Sequence, residues 1–143
     1  MRLAFKRLHA AVHLPSYAKE GDAGLDLRSN EDLTVKPAER ALIHTGLAVA
    51  IPPGHAGLVL PRSGLASRHG LTLANSPGLI DAGYRGEIIV SVVNLDPEQA
   101  VEIRRGDRIA QLVLVPFVHV ERVEVSELPE SARGRGGFGS TGR

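Results

Sequence analysis

The chain has 143 residues, of which 43% are hydrophobic, enough for one domain with a core of its own. Its formal net charge of +1 argues against a protein that binds nucleic acid through bulk positive charge, although it leaves room for a local basic patch. Cysteine is absent, which excludes disulfides, thiolate nucleophiles and zinc sites with cysteine ligands.

The N-terminal segment, residues 1–15, carries charges throughout and no clean apolar block, so it is not predicted to be a signal peptide. No apolar run in the sequence approaches the ~20 residues that span a bilayer. We therefore expect a soluble cytoplasmic protein, with neither a membrane nor a nucleic acid as its partner.

Short alternating runs dominate the rest of the chain and are separated by turns rich in glycine, proline and aspartate. This pattern is typical of β-strands in an all-β sandwich or barrel. The predicted strands are the alternation through Leu47, Val49 and Ile51, and then 57–60, 86–95, 108–115 and 117–125. The best helix candidate is 63–70, with Gly70 as its C-terminal cap. The sequence predicts one β domain, 1–132, and a glycine-rich tail, 133–143.

The first segment that could carry chemistry is DAGLDLRS, residues 22–29, in which Asp22 and Asp26 are four residues apart. Residues at this spacing face the same side of a strand. Two carboxylates placed in this way could hold Mg²⁺ directly or through its water shell. The alternative is a pair of solvated acids in a turn.

The second segment is PRSGLASRHG, residues 61–70, where Arg62 and Ser63 precede the predicted helix. Free N–H groups and the positive dipole end of a helix N-terminus favour phosphate. The planar guanidinium of Arg62 could grip phosphate oxygens as well. The alternative is an ordinary turn in which Ser63 caps the helix.

The third segment is NSPGLIDAGYRGEI, residues 75–88, which predicts a hairpin with its tip near 81–85. Asp81 at this tip could act as a general base on water. The ring of Tyr84 could stack under a sugar or a base. The alternatives are an aspartate that only stabilises a turn and a tyrosine that is half exposed.

Gln111 is a polar amide within the apolar predicted strand 108–115. It could face a wet site or a subunit axis, or it could simply point to solvent. The six histidines show no metal-binding spacing, so a histidine-ligated metal is not expected.

The tail, residues 133–143, contains five glycines and cannot form a buried strand or helix by itself. Glycine amides can wrap anionic oxygens, and the segment also supplies arginines and the hydroxyls of Ser140 and Thr141. Phe138 could lie flat on a base. The alternative is a disordered tail or an expression scar.

Five segments of this chain resemble, in order, the motifs of the trimeric deoxyuridine triphosphatase (dUTPase) family. They are DAGLDLRS, PRSGLASRHG, NSPGLIDAGYRGEI, RGDRIAQL and RGRGGFGSTG, and they spread over residues 22–142. The resemblance implies a jelly-roll β fold and a homotrimer with three active sites between subunits. It also implies Mg²⁺-assisted attack of water on the α-phosphorus of dUTP. The products are dUMP, which supplies thymidylate synthesis, and pyrophosphate.

The resemblance also implies roles for individual residues. Asp81 would orient and deprotonate the attacking water, and Asp26 would position the metal through its waters. Tyr84 would pack against the deoxyribose and leave no room for a 2′-hydroxyl. The phosphates would be held by Arg62, Ser63, Gly64 and Gln111. Uracil would be recognised by Asn75 and the backbone of Gly78, Leu79, Ile80 and Asp81. The tail of a neighbouring subunit would supply Arg133, Phe138, Gly139, Ser140 and Thr141.

Two other functions fit the same scaffold. A dCTP deaminase would attack the base instead of phosphorus, and the resemblance to that enzyme is poorer around Asp81 and Tyr84. A non-catalytic nucleotide-binding regulator would be expected to lack Asp81 or the tail, and both are present. A purely structural β-trimer does not account for five motifs in order.

Overall fold

The computed structural model describes residues 1–132 and 134–135. Within these residues the chain forms ten strands and one helix. The strands are β1 (Ala4–Arg7), β2 (Leu25–Arg28), β3 (Leu33–Val35), β4 (Arg40–Ala50), β5 (His55–Pro61), β6 (Leu71–Leu73), β7 (Gly78–Ile80), β8 (Glu87–Asn94), β9 (Val101–Ile103) and β10 (Arg108–Pro116), and the helix is α1 (Ser63–His69).

The strands form two four-stranded antiparallel sheets and a two-stranded one. The first sheet has the order β1-β4-β8-β6, the second β2-β10-β5-β7, and β3 pairs with β9. One buried aliphatic cluster joins both large sheets, through Ile43 and Val90 of the first and Leu27 and Leu112 of the second. This sandwich confirms the predicted all-β jelly-roll class with one short helix. No helix among the described residues is long and apolar enough to cross a membrane.

Most of the predicted elements are confirmed, with shifted ends. β4 begins at Arg40, well before the predicted alternation, and β5, β8 and β10 lie on the predicted runs. The helix α1 ends where predicted, because Gly70 adopts a left-handed φ of 65° and its N–H bonds to the Leu65 carbonyl. At its start the N-cap is Arg62, with no side-chain cap, so the serine-capped alternative is wrong.

The predicted strand over 117–125 is wrong for the single chain, since this segment forms no strand in the structure. Its side chains remain largely exposed, including Val118 at 85% and Val120 at 73%. The alternation is real, but a strand also needs a neighbour to complete its hydrogen bonds. In the described part of this chain no strand pairs with this segment, although the Phe117 N–H donates to the Gly54 carbonyl at 3.0 Å.

The predicted hairpin at 81–85 is also wrong. β7 pairs with β5 in the second sheet, whereas β8 pairs with β4 and β6 in the first. Residues 81–86 therefore form a loop that crosses from one sheet to the other, which we call the β7–β8 loop. This crossing places Asp81 and Tyr84 at the edge between the two sheets.

Candidate active site

A cavity of about 190 Å³ opens beside the β7–β8 loop. The predicted residues on its wall are Asn75, Gly78, Leu79, Ile80, Asp81 and Tyr84. Asp81 follows β7 directly and is exposed, and its carbonyl accepts the N–H of Tyr84 at 3.0 Å. The backbone of Asp81 thus closes the turn, which leaves its carboxylate available to a ligand.

Tyr84 is held by the chain that follows it. Its hydroxyl donates to the Glu87 carbonyl at 2.9 Å. A Cβ on Gly86 would collide with the tyrosine ring, so glycine allows the ring to lie close to the backbone there. Arg85 ties the loop to itself by donating to the carbonyls of Ala82 and Tyr84, both at 2.7 Å. The ring is therefore fixed at one edge while 45% of the residue remains exposed.

A second cavity, of about 410 Å³, lies where β2, β10 and the end of β5 meet. The predicted residues that line it are Asp22, Asp26, Arg62, Ser63, Gly64 and Gln111. The Gln111 side chain lies directly against Gly24, where a Cβ would collide with it, and its amide nitrogen donates to the Pro61 carbonyl at 3.1 Å. The polar amide in the apolar strand therefore points into a polar cavity.

Asp26 lies between two arginines at the floor of this second cavity. One carboxylate oxygen is 3.4 Å from Nε of Arg62 and the other is 3.3 Å from Nη1 of Arg108. Each oxygen of the Asp26 carboxylate therefore faces one guanidinium group. Among the described residues, no group of three or more histidine or acidic side chains forms a metal cluster.

Arg108 was missed by the sequence analysis. It stands in the arginine-rich stretch 104–108, which predicts only a turn leading into a strand. The pairing of β2 with β10 brings it to Asp26, which lies 82 positions away along the chain. The three arginines in 104–108 were the available signal of a basic site, but only the pairing of β2 with β10 shows that Arg108 contacts Asp26.

Within one chain, the predicted residues of the first cavity, such as Asp81, lie far from those of the second cavity, such as Arg62. In the register of β5 with β7, Gly57 is opposite Ile80, the residue before Asp81. Arg62 follows the far end of β5, five residues beyond Gly57. Asp81 lies one residue further from Arg62 than Ile80 does, so six strand residues of about 3.4 Å each place its backbone roughly 20 Å from Arg62. The predicted tail residues Arg133, Phe138, Gly139, Ser140 and Thr141 lie outside the described residues.

Glu87 also lines the first cavity, although its sequence position did not predict a role there. Its carboxylate is 2.9 Å from Nδ1 of His44 and accepts the Gly46 N–H at 2.7 Å. The hydrogen bond to Glu87 raises the pKa of His44. Burial raises the pKa of Glu87, but its hydrogen bonds from His44 and Gly46 outweigh burial, so the pKa is lowered overall.

We expect the His44→Gln variant to lose more unfolding free energy at pH 5.5 than at pH 8.5. The raised pKa of His44 gives stability that is full below its ordinary 6.5 and is lost as the pH rises through the folded value. The lowered pKa of Glu87 gives stability that is full above its ordinary 4.5 and is lost as the pH falls through the folded value. Both contributions are present between these two values, at no more than ~0.5 kcal/mol because His44 is half exposed.

Urea unfolding at one protein concentration, at both pH values, measures this difference. His13→Gln, which removes an exposed imidazole elsewhere, is the matched control. Equal losses at pH 5.5 and pH 8.5 in His44→Gln would contradict the expectation.

Comparison with known proteins places these features in a family. The family model described as dUTPase matches residues 10–142. The deoxyuridine 5'-triphosphate nucleotidohydrolase of Thermobifida fusca is 55% identical over 142 residues, 99% of this chain and 79% of that protein. The protein of the same name from Mycobacterium leprae is 56% identical over 145 residues, 98% of this chain and 94% of that protein.

Solved structures agree with the sequence matches. A mutant dUTPase of Staphylococcus bacteriophage 80alpha with dUpNHpp aligns with a TM-score of 0.92 at 32% identity, covering 99% of both chains. A mutant dUTPase from phage phi11 of S. aureus aligns with a TM-score of 0.82 at 30% identity, over 89% of this chain and 98% of that one. The latter structure is described as showing the coordination of a structural Mg(II) ion.

Proposed function

The chain belongs to the dUTPase family, and we propose that it hydrolyses dUTP to dUMP and pyrophosphate at sites shared between the subunits of a homotrimer. The observation that carries the shared site is the register of β5 with β7, which separates Asp81 from Arg62 by roughly 20 Å along β5. A general base must lie within about 3 Å of the attacking water. Asp81 of one copy therefore acts on phosphates held by the Arg62 cavity of another. We place this reaction in the cytoplasm, where dUMP would feed thymidylate synthesis.

The exposed segment 117–125 supports the same assembly. Its apolar side chains are exposed in the single chain, among them Val118 and Val120, which are two residues apart and would face the same side of a strand. A subunit that lies against this segment would bury these side chains and pair the backbone. In a closed ring of copies, each Arg62 cavity has an Asp81 from a neighbouring subunit and each segment 117–125 lies against a neighbouring subunit. No subunit is then left without a neighbour.

Uracil would be read at the outer edge of β7. This strand ends the sheet order β2-β10-β5-β7, so its second edge is free of any other strand in the described part of the chain. Unpaired N–H and C=O groups of an edge strand can bond to a base as they would to a further strand. Gly78, Leu79 and Ile80 would present this edge, with the Asn75 side chain beside it. The ring of Tyr84 would then pack against the deoxyribose.

The phosphates would be held by the second cavity. Arg62 offers a guanidinium, Gln111 a side-chain amide, and Ser63 and Gly64 the N–H groups of the first turn of α1. We propose that the tail, 133–143, is a separate functional unit. Its residues Arg133, Phe138, Gly139, Ser140 and Thr141 would close over the triphosphate from a neighbouring subunit and exclude bulk water.

The acidic residues of the second cavity fit Mg²⁺ that arrives with the nucleotide. Such magnesium keeps several waters and uses one or two carboxylates together with substrate phosphates. Asp26 would contact these waters from the floor of the cavity, with Asp22 on its wall. When bound, the ion supplies neutralisation of the phosphate charge during displacement. Arg62 and Arg108 hold the Asp26 carboxylate in place.

Pyrophosphate release in the presence of Mg²⁺, compared for dUTP, dCTP, dTTP and UTP, tests the proposed reaction. Release from dUTP alone would support it. Ammonia released from dCTP would assign the chain to the deaminase chemistry instead. Tight binding of dUTP without turnover would point to the non-catalytic regulator. Sedimentation of the same sample determines whether three copies associate.

A further inference from the structure

Glu87 connects the end of the β7–β8 loop to β4. It is the first residue of β8, directly after the loop, and only 21% of its side chain is exposed. One carboxylate oxygen accepts the Gly46 N–H at 2.7 Å, and the other is bonded to the His44 ring at 2.9 Å. Both partners belong to β4, so one side chain fixes the point at which the loop re-enters the sheet.

The partners of Glu87 lie in an irregular part of β4. His44 is opposite Ile89, but Ala48 is opposite Glu87, so four steps along β4 match two steps along β8. This bulge turns Gly46 into the left-handed region, at φ 68°, and removes its N–H from the regular ladder. The Glu87 carboxylate takes the place of the missing ladder carbonyl.

The backbone of the same residue holds Tyr84. The tyrosine hydroxyl donates to the Glu87 carbonyl at 2.9 Å, and both residues line the first cavity. A movement of Glu87 would carry its carbonyl with it and change where the phenol ring lies. The chain of contacts thus runs from the β4 bulge through Glu87 to the face of Tyr84.

We propose that Glu87 is a positioning residue for sugar recognition: its carboxylate, anchored to the β4 bulge at His44 and Gly46, holds the Glu87 carbonyl that orients the Tyr84 ring. This inference rests on the proposed function, in which Tyr84 packs against deoxyribose and excludes a 2′-hydroxyl. It gives Glu87 no contact with the reacting atoms. The predicted consequence is an effect on the choice between dUTP and UTP.

Glu87→Ala removes both anchoring bonds while keeping the backbone carbonyl. We expect the preference of kcat/KM for dUTP over UTP to fall about tenfold, as for the loss of a charge-assisted hydrogen bond. KM for dUTP should rise with kcat nearly unchanged, because Asp81 is not displaced by the loss of a ring contact. Steady-state kinetics with both nucleotides measures this.

Glu87→Gln is the conservative variant, since the amide oxygen can still accept the Gly46 N–H. We expect it to restore at least half of the preference lost in Glu87→Ala. Tyr84→Phe removes the hydroxyl that bonds to Glu87, and it should lower the preference to a similar extent. If both changes act through one contact, the double variant Glu87→Ala/Tyr84→Phe should lose no more than either alone.

Glu31→Ala is the matched control. Glu31 also bonds to the β4 bulge, accepting the backbone N–H of His44 at 2.8 Å, but it does not line the first cavity. Its removal should leave the preference for dUTP unchanged. If Glu31→Ala lowers the preference as much as Glu87→Ala does, general loosening of β4 is responsible and the proposal is wrong.

The preference ratio separates this role from simple stabilisation. A lower Tm in Glu87→Ala with an unchanged dUTP-to-UTP ratio would overturn the proposal, as would additive losses in the double variant. Binding of dUMP and UMP, measured by calorimetry, gives the same comparison without turnover. A wild-type chain that prefers dUMP but releases no pyrophosphate would contradict the proposed hydrolysis while leaving the Glu87 test intact.

Discussion

Replacing Asp81 with asparagine is expected to lower kcat for dUTP hydrolysis by about 10³-fold, with little change in KM. Asparagine has the shape of aspartate and can still bond to a water, but it cannot take the proton of that water. The turn should survive, because it is the Asp81 carbonyl that accepts the Tyr84 N–H, at 3.0 Å. The loss would therefore report on proton transfer and leave the folding of the loop unchanged.

Pyrophosphate release under saturating dUTP, together with calorimetric binding of dUMP, measures the two parts of this expectation. Asp96→Asn is the matched control, since Asp96 lines neither cavity and its carboxylate accepts the N–H groups of Glu98 and Gln99. It should retain full activity. If Asp81→Asn keeps more than about a tenth of the wild-type kcat, another group removes the proton.

The strands that could be read from the sequence are those whose pattern records burial in this chain. β8 alternates strictly between buried and more exposed positions, and the run 86–95 predicts it almost to the residue. The end of α1 was also predicted correctly, because a left-handed C-cap favours glycine whatever the rest of the chain does. The segment 117–125 carries the same alternation but lacks a strand partner in the described part of the chain. A pattern of side chains says that a strand is possible, and the partner decides whether it forms.

Residues of the site were found where chemistry and loop position coincide, as at Asp81 and Arg62. Arg108 and Glu87 were missed because their importance depends on contacts made across strands, to Asp26 and to the β4 bulge. The sequence also did not predict which of the site residues lie close together within one chain. The length of β5 and its register with β7 separate Asp81 from Arg62. The order of motifs along the sequence does not give the distance between Asp81 and Arg62 in the folded chain.

Removing the tail, residues 133–143, is expected to lower kcat by about 10²-fold while the rest of the chain remains folded. The proposed role of this segment is to place amides, hydroxyls and Arg133 against the phosphates as the site closes. Burial within 1–132 does not depend on it, since the buried cluster lies entirely between Val12 and Leu112. The thermal unfolding of the truncated chain should match that of the full chain. An equally active truncated chain would remove the tail from the mechanism.

Two impaired variants then distinguish a tail that acts on a neighbour from one that acts on its own chain. Asp81→Ala keeps the tail but lacks the base, and the truncated chain keeps Asp81 but lacks the tail. After denaturation and refolding of an equal mixture, a site that takes its tail from another copy would combine both intact parts in about a quarter of cases. The mixture should regain about a quarter of the wild-type activity. A tail that serves the Asp81 of its own chain would leave the mixture no more active than the mean of its two components, because no chain in it carries both parts.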